Sequence, residues 1–232
     1  MSGALAARLA ELDWAAIERE LDAQGGARLP GVLSAELCRQ LAALYPHGEH
    51  FRSRIVMARH GFGRGEYQYF AYPLPPPVAE VRGLLYARLA PLANRWNAML
   101  GLAARYPAEH EAYQAGQRRP TPLLLRYTEG DYNCLHQDLY GERVFPLQVA
   151  FLLSAPGQDF TGGEFVLTEQ RPRMQSRPEV VPLQQGDAVV FAVHHRPVAG
   201  ARGYYRVNLR HGVSRIRTGQ RHTLGVIFHD AL

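Results

Sequence analysis

Apolar positions recur every three or four residues through much of the first half of the chain, then every second residue, or without a break, along its last half. The first pattern predicts helices. Asp13 is placed to cap a helix from Trp14 to Leu21, with Trp14, Ile17 and Leu21 on one face and Gly25-Gly26 ending it. A short strand is expected over Arg28–Leu33. Ser34 then caps a helix over Ala35–Tyr45 that turns Leu37, Leu41 and Leu44 inward. Residues 51–73 mix Arg, Gly and aromatics without a period, which predicts irregular strands and loops. The helical period returns over Val78–Leu100, with a bend or break expected at Pro91, and a short helix is predicted over Ala108–Ala115.

From Pro122 onward the pattern is of short β runs: Leu123–Tyr127, Pro146–Leu153, Glu164–Thr168, Glu179–Leu183, Ala188–Val193, Tyr205–His211 and His222–Phe228. Turn residues separate them, among them Glu129-Gly130-Asp131, Thr161-Gly162-Gly163 and Gln185-Gly186-Asp187. Seven or eight strands so spaced predict a double-sheet jelly roll or another β-sandwich. The expectation is one α+β domain over residues 1–232. Residues 1–120 form a mainly helical N-terminal extension and lid packed on it, and residues 121–232 form the β core.

Composition changes this picture little. With 47% hydrophobic residues the chain can bury a full core. Its net charge of +5 permits a polyanionic partner, but every basic residue is Arg and none is Lys. That skew points to genome composition more than to a function-driven choice, so net charge alone is weak evidence for nucleic acid. Two cysteines, Cys38 and Cys134, are too few for a disulfide framework or a thiolate zinc site. The N-terminus has no basic region ahead of an apolar stretch, and no apolar run is long enough to span a bilayer. A soluble cytoplasmic protein without a membrane partner is expected.

Candidate chemistry begins at His136-Gln137-Asp138. On an extended segment, residues two apart face one side, so the imidazole and carboxylate can converge on one metal ion. His211, inside a late β run, supplies a third ligand. Two histidines and a carboxylate leave open positions on a metal, as in non-haem Fe(II) oxygenases. The competing reading is a His–Asp hydrogen bond at a strand end. Arg221 and Thr223 follow on one face of the last β run, where a guanidinium fork and a hydroxyl suit a carboxylate; an ordinary surface Arg is the alternative. A rival arm runs from His195 through Pro197-Val198 to Arg202. It is short and lies in a Pro/Gly-rich stretch rather than a strand, so His211 is preferred and His195 is expected near the mouth of the site.

These ordered elements resemble the Fe(II)/2-oxoglutarate dioxygenase superfamily over Leu125–Asp230: Arg126-Tyr127, Gly130-Asp131-Tyr132, His136-Gln137-Asp138, Gly186-Asp187-Ala188, His211-x-Val213 and Gly219-x-Arg221. The resemblance implies a double-stranded β-helix with Fe(II), 2-oxoglutarate and O₂ as cofactors. It also implies that His136, Asp138 and His211 hold the metal and that Arg221 holds 2-oxoglutarate, with Thr223 alongside. Tyr127 is either a further co-substrate contact or a packed strand tyrosine.

More narrowly, Met57–Tyr67 and Asp159–Phe165 are similar to a bacterial family described as oxygenases for oxidative demethylation of damaged DNA. That family implies hydroxylation of an N-methyl group on a flipped-out base, with formaldehyde released. Arg59, His60, Arg64 and Tyr67, with Arg171 and Arg173 in a later loop, are the candidate substrate residues. The alternative is that the first segment packs and the second is a solvated loop. No second Arg follows Arg221, unlike in DNA-repair demethylases, and the Gly219-x-Arg221 arm is more similar to prolyl-hydroxylase-type enzymes. A protein side-chain hydroxylase acting on a protein or peptide is therefore the alternative reading. A non-catalytic cupin-like metal-binding module is the reading from another class.

Overall fold

Two antiparallel sheets face one another across a cavity, and helices cover the outer side of the larger one. The computed structural model describes residues 2–139 and 144–231. The chain opens with α1 (Ser2–Glu11) and α2 (Trp14–Gln24), then β1 (Gly26–Leu29) and α3 (Ala35–Ala43). Asp13 and Ser34 cap α2 and α3 by accepting backbone N–H bonds from Ala16 and Leu37. Gly25 ends α2 in the left-handed region, at φ 79°.

Residues 51–73 are more regular than their sequence predicts. They contain β2 (Phe51–Val56), β3 (Gly63–Arg64) and β4 (Glu66–Phe70). β2 alternates half-buried and exposed positions, turning Arg52 and Arg54 outward, so the arginines that hide the period occupy its solvent face. The helix α4 (Pro76–Met99) follows, then α5 (His110–Gln114). α4 runs through Pro91 rather than breaking there. Pro91 and Ala87, whose carbonyl it leaves unpaired, are both exposed to water, while Leu85, Leu89, Leu92 and Trp96 are buried.

The β region comprises β5 (Leu123–Thr128), β6 (Tyr132–His136), β7 (Leu147–Leu152), β8 (Phe160–Gly162), β9 (Phe165–Gln170), β10 (Arg177–Val181), β11 (Ala188–Ala192), β12 (His195–Gly200), β13 (Gly203–Val213) and β14 (Ile216–Val226). The larger sheet has the order β1-β11-β7-β14-β5-β4-β2, with β8 beside β14. The smaller has the order β10-β9-β13-β6-β3, with β12 beside β13. The first half of the chain thus supplies strands to both sheets as well as helices. β12 also differs from expectation, since His195 lies in a strand. It forms a hairpin with β13 whose tip turns at Gly203, φ 109°, and Pro197 is tolerated because, among the described residues, β12 pairs only with β13.

β7 and β11 are buried on both faces. Val149, Phe151, Ala188 and Val190 point outward, into one apolar cluster that they share with the helices. Ala150, Leu152, Val189 and Phe191 point inward, to a second cluster between the sheets. No helix among the described residues is long and apolar enough to cross a membrane.

Candidate metal and co-substrate site

His136 closes β6 directly opposite His211 of β13, so the ladder itself brings the two imidazoles face to face. Asp138 lies just past the end of β6, not on it. Gln137 holds that corner by donating from Nε2 to the Leu209 carbonyl at 2.7 Å. Asp138 reaches both rings, its Oδ1 lying 3.4 Å from His136 Nε2 and its Oδ2 3.4 Å from His211 Nε2. One donor atom from each of the three lies within 4.8 Å of the others. The carbonyl of Cys134 accepts from His136 Nδ1 at 2.8 Å, so that nitrogen carries the proton and Nε2 presents its lone pair inward.

Electrostatics agree with a ligand set. Burial works to raise the Asp138 carboxyl, but hydrogen bonds from His136 and His211 outweigh it and hold the group well below its usual range. Burial, then the neighbouring His136, pushes His211 down and favours the neutral imidazole. Two neutral-capable nitrogens and an ionised oxygen on one side suit a borderline divalent metal.

Arg221 stands on β14 with 1% of its surface exposed. Burial pushes its guanidinium down to about 10, which leaves it charged at neutral pH. It donates from Nη1 to Thr223 Oγ1 at 2.5 Å and lies over the rings of Tyr127 and Phe160, 5.7 and 5.8 Å from their centroids. Among the described residues its Nε has no partner, and neither does the buried Tyr127 hydroxyl. A buried cation with an unused donor is costly unless an anion visits. Gly163, at φ 66°, makes room for it: a Cβ there would overlap Ile216 Cδ1 and stand 3.0 Å from Arg221 Cδ. The triad, Arg221, Thr223 and Tyr127 all line one cavity of about 950 Å³, counting its open mouth.

Residues 65–231 match the family model Oxygenase-NA, described as "Oxygenase, catalysing oxidative methylation of damaged DNA". The chain belongs to this family. Two uncharacterized proteins from two strains of Mycobacterium tuberculosis are each 48% identical to it over 167 residues, covering 70% of this chain and 72% of theirs. Among solved structures, a Pseudomonas putida prolyl-4-hydroxylase aligns with TM-score 0.57 at 17% identity, covering 91% of this chain and 96% of its own. A Burkholderia pseudomallei oxidoreductase of the 2OG-Fe(II) oxygenase family aligns with TM-score 0.53 at 18% identity, covering 95% and 93%. At such identities the likeness is one of fold, and it is the jelly-roll fold of the 2-oxoglutarate/Fe(II) oxygenases. Membership of an oxygenase family makes the protein an oxidoreductase and sets aside the non-catalytic module.

Other candidates in the Oxygenase-NA chain are scattered. Tyr67 lines the cavity, while Arg59, His60 and Arg64 are exposed on or beside β3. His60 stacks on Phe62, with centroids 5.3 Å apart, and Phe62 lines the mouth of the cavity at 41% exposure. Arg171 is tied to Glu169 at 2.9 Å, and Arg173 stands exposed at φ 63° in the β9–β10 loop. Neither lines the cavity. His195 pairs with Asn208 and so faces away from His211; its ring lies against His194 at 3.3 Å, outside the triad. The sequence reading missed Gln148, a carboxamide inside the cavity on β7. Its one signal was being the only polar residue of Leu147–Leu152.

Proposed function

We propose that the protein is an Fe(II)/2-oxoglutarate-dependent dioxygenase that hydroxylates N-methyl groups of alkylated single-stranded nucleic acid. The observation that carries the reading is a His-Asp-His triad and a buried Arg with an unused donor lining one cavity. The donor set fits iron by its chemistry: His136 and His211 offer Nε2 atoms and Asp138 an ionised carboxylate, with His136 fixed through Nδ1. Bound iron, with 2-oxoglutarate and O₂, supplies the oxidising power for hydroxylation.

The chain's own residues bind and orient. Arg221 grips the distal carboxylate of 2-oxoglutarate with its guanidinium, Thr223 fixes the fork, and the Tyr127 hydroxyl donates from the side. Apolar walls at Leu123, Leu125, Phe165 and Phe191 exclude water from the reacting atoms.

Nucleic acid is favoured by the mouth. The exposed His60–Phe62 stack offers an aromatic platform beside the exposed Arg59 and Arg64, a combination that binds bases and phosphates of a single strand. Here residues 1–120 serve as an extension that carries recognition groups and residues 121–232 as the catalytic core of one cytoplasmic domain. Arg171, Arg173 and His195 are left for longer substrates on the outer rim.

The test is succinate release by the iron-loaded protein with single-stranded DNA carrying N1-methyladenine or N3-methylcytosine. Stimulation with stoichiometric formaldehyde supports the reading; Arg221→Ala should then raise the 2-oxoglutarate KM about 10- to 100-fold. Absence of stimulation by any methylated strand at low salt refutes the nucleic-acid part. A proline-containing peptide is the second arm of that assay, because the fold is shared with prolyl hydroxylases and the Gly219-x-Arg221 arm is similar to theirs.

A further inference from the structure

Four buried polar atoms at the cavity have no hydrogen-bond partner among the described residues: His211 Nδ1, Arg221 Nε, the Tyr127 hydroxyl and Gln148 Oε1. The first belongs to the triad, and the next two flank the co-substrate. Gln148 is left without a task. It is 5% exposed, on a strand that otherwise reads Leu-Val-Ala-Phe-Leu and is buried along its whole length. Leu or Met would fill the same volume without stranding a carboxamide.

Its level in the barrel separates it from the co-substrate. Thr223 pairs with Leu152 and Gly225 with Ala150, a register that sets Gln148 level with Ile227. Six residue steps separate Arg221 on β14 from Ile227 just past its end, about 20 Å of extended chain, and a five-carbon dicarboxylate anchored at Arg221 does not span it. Gln148 therefore faces the other end of the cavity, which Ile227, Phe191 and Tyr69 also line. That end presents aromatic and apolar faces with one amide among them. A carboxamide carries a donor and an acceptor side by side, the complement of the donor–acceptor edge of a planar base. Flipped bases are held in this way, between apolar faces and read on their edge.

We infer that Gln148 reads the hydrogen-bonding edge of the base whose methyl group is oxidised, an assignment that rests on the nucleic-acid reading above. Gln148 is a specificity-determining residue and takes no part in binding iron or 2-oxoglutarate.

The test compares wild type with Gln148→Leu on single-stranded DNA carrying one N1-methyladenine, whose N6/N7 edge keeps a donor beside an acceptor, and on the unmodified strand. Oligonucleotide-dependent formaldehyde release is expected to fall about tenfold or more in kcat/KM, as for a lost buried hydrogen-bond pair. The 2-oxoglutarate KM and the succinate released without DNA should stay within about twofold. The melting temperature should be equal or higher, since a buried carboxamide with an unpaired oxygen has been replaced by a hydrocarbon. In fluorescence anisotropy with metal-free protein, any preference of the wild type for the methylated strand should vanish in the variant, with affinity for the unmodified strand unchanged. Unchanged formaldehyde release, a fall in DNA-independent succinate, or a melting temperature lowered by several degrees would each overturn the assignment. If wild type itself is not stimulated by the methylated strand, the nucleic-acid reading fails and takes base reading with it. A wild type that responds and a variant that matches it refute Gln148 alone.

Discussion

His136 and His211 face each other across the β6–β13 ladder with imidazole centroids 4.2 Å apart, and Asp138 lies within 3.4 Å of both. The three side chains are preorganised by backbone pairing, so a divalent metal should bind the folded state far better than the unfolded one. At 100-fold excess over its Kd the metal adds about 2.7 kcal/mol of stability. Differential scanning calorimetry with Fe(II) or Co(II) should show a raised melting temperature that a chelator reverses. Asp138→Ala should remove the metal-dependent increment and abolish 2-oxoglutarate turnover; an intact increment in that variant would refute the ligand set.

Gly163→Ala tests how Arg221 is held. The added methyl overlaps Ile216 and presses on the Arg221 stem at a position with φ 66°. A loss of about 1–3 kcal/mol in urea unfolding is expected, together with a raised 2-oxoglutarate KM. A variant that loses stability but keeps KM would show that Gly163 serves the turn alone.

Arg196 is buried behind β12, where its Nε donates to Glu169 at 2.9 Å and its Nη1 to the Asp22 carbonyl of α2 at 2.8 Å. Arg196→Ala takes one of two close guanidinium partners from the Glu169 carboxylate, Arg171 keeping the other oxygen at 2.9 Å, and should cost about 1–3 kcal/mol. Combining it with Glu169→Leu should restore part of that loss in the same urea titration, because no half-paired carboxylate is then left buried. Additive losses would mean that the pair matters through packing, not charge.

His222 gives the stability a pH slope. Burial and the neighbouring Arg126 push its imidazole from 6.5 down to about 4. The unfolded chain therefore binds a proton that the folded one refuses between those values, and stability falls as pH drops from 6.5 toward 4. His222→Gln should flatten this part of the melting-temperature profile and leave values above pH 7 nearly unchanged. An identical slope in the variant would assign it to other groups.

The three triad residues, Arg221 and most of the late strands were legible because each carries a local signal, whether spacing of two, alternation or a turn between runs. What was not legible depends on partners distant in sequence. β12 exists because β13 folds back on it, despite Pro197 and the glycines around it. β2 and β4 are ordered by pairing that continues to β5, more than fifty residues on. Asp138 was read as sharing an extended segment with His136; it sits just past the end of β6, at the corner that Gln137 holds through the Leu209 carbonyl. Gln148 drew no notice since a single Gln in a β run has no pattern; only the cavity gives it meaning.

The helix α4 lines no part of the cavity, but Arg82 on it donates from Nε to the carbonyl of Ile227 at 2.8 Å and pairs from Nη2 with Asp230 at 2.6 Å. The wall at Ile227 is thus hung from the helical layer, whereas the wall at Arg221 is built into the sheet. Drift in the helices between related chains would reshape the Ile227 end of the chamber and leave the Arg221 end as it was. One barrel could in that way change its clientele while keeping its chemistry.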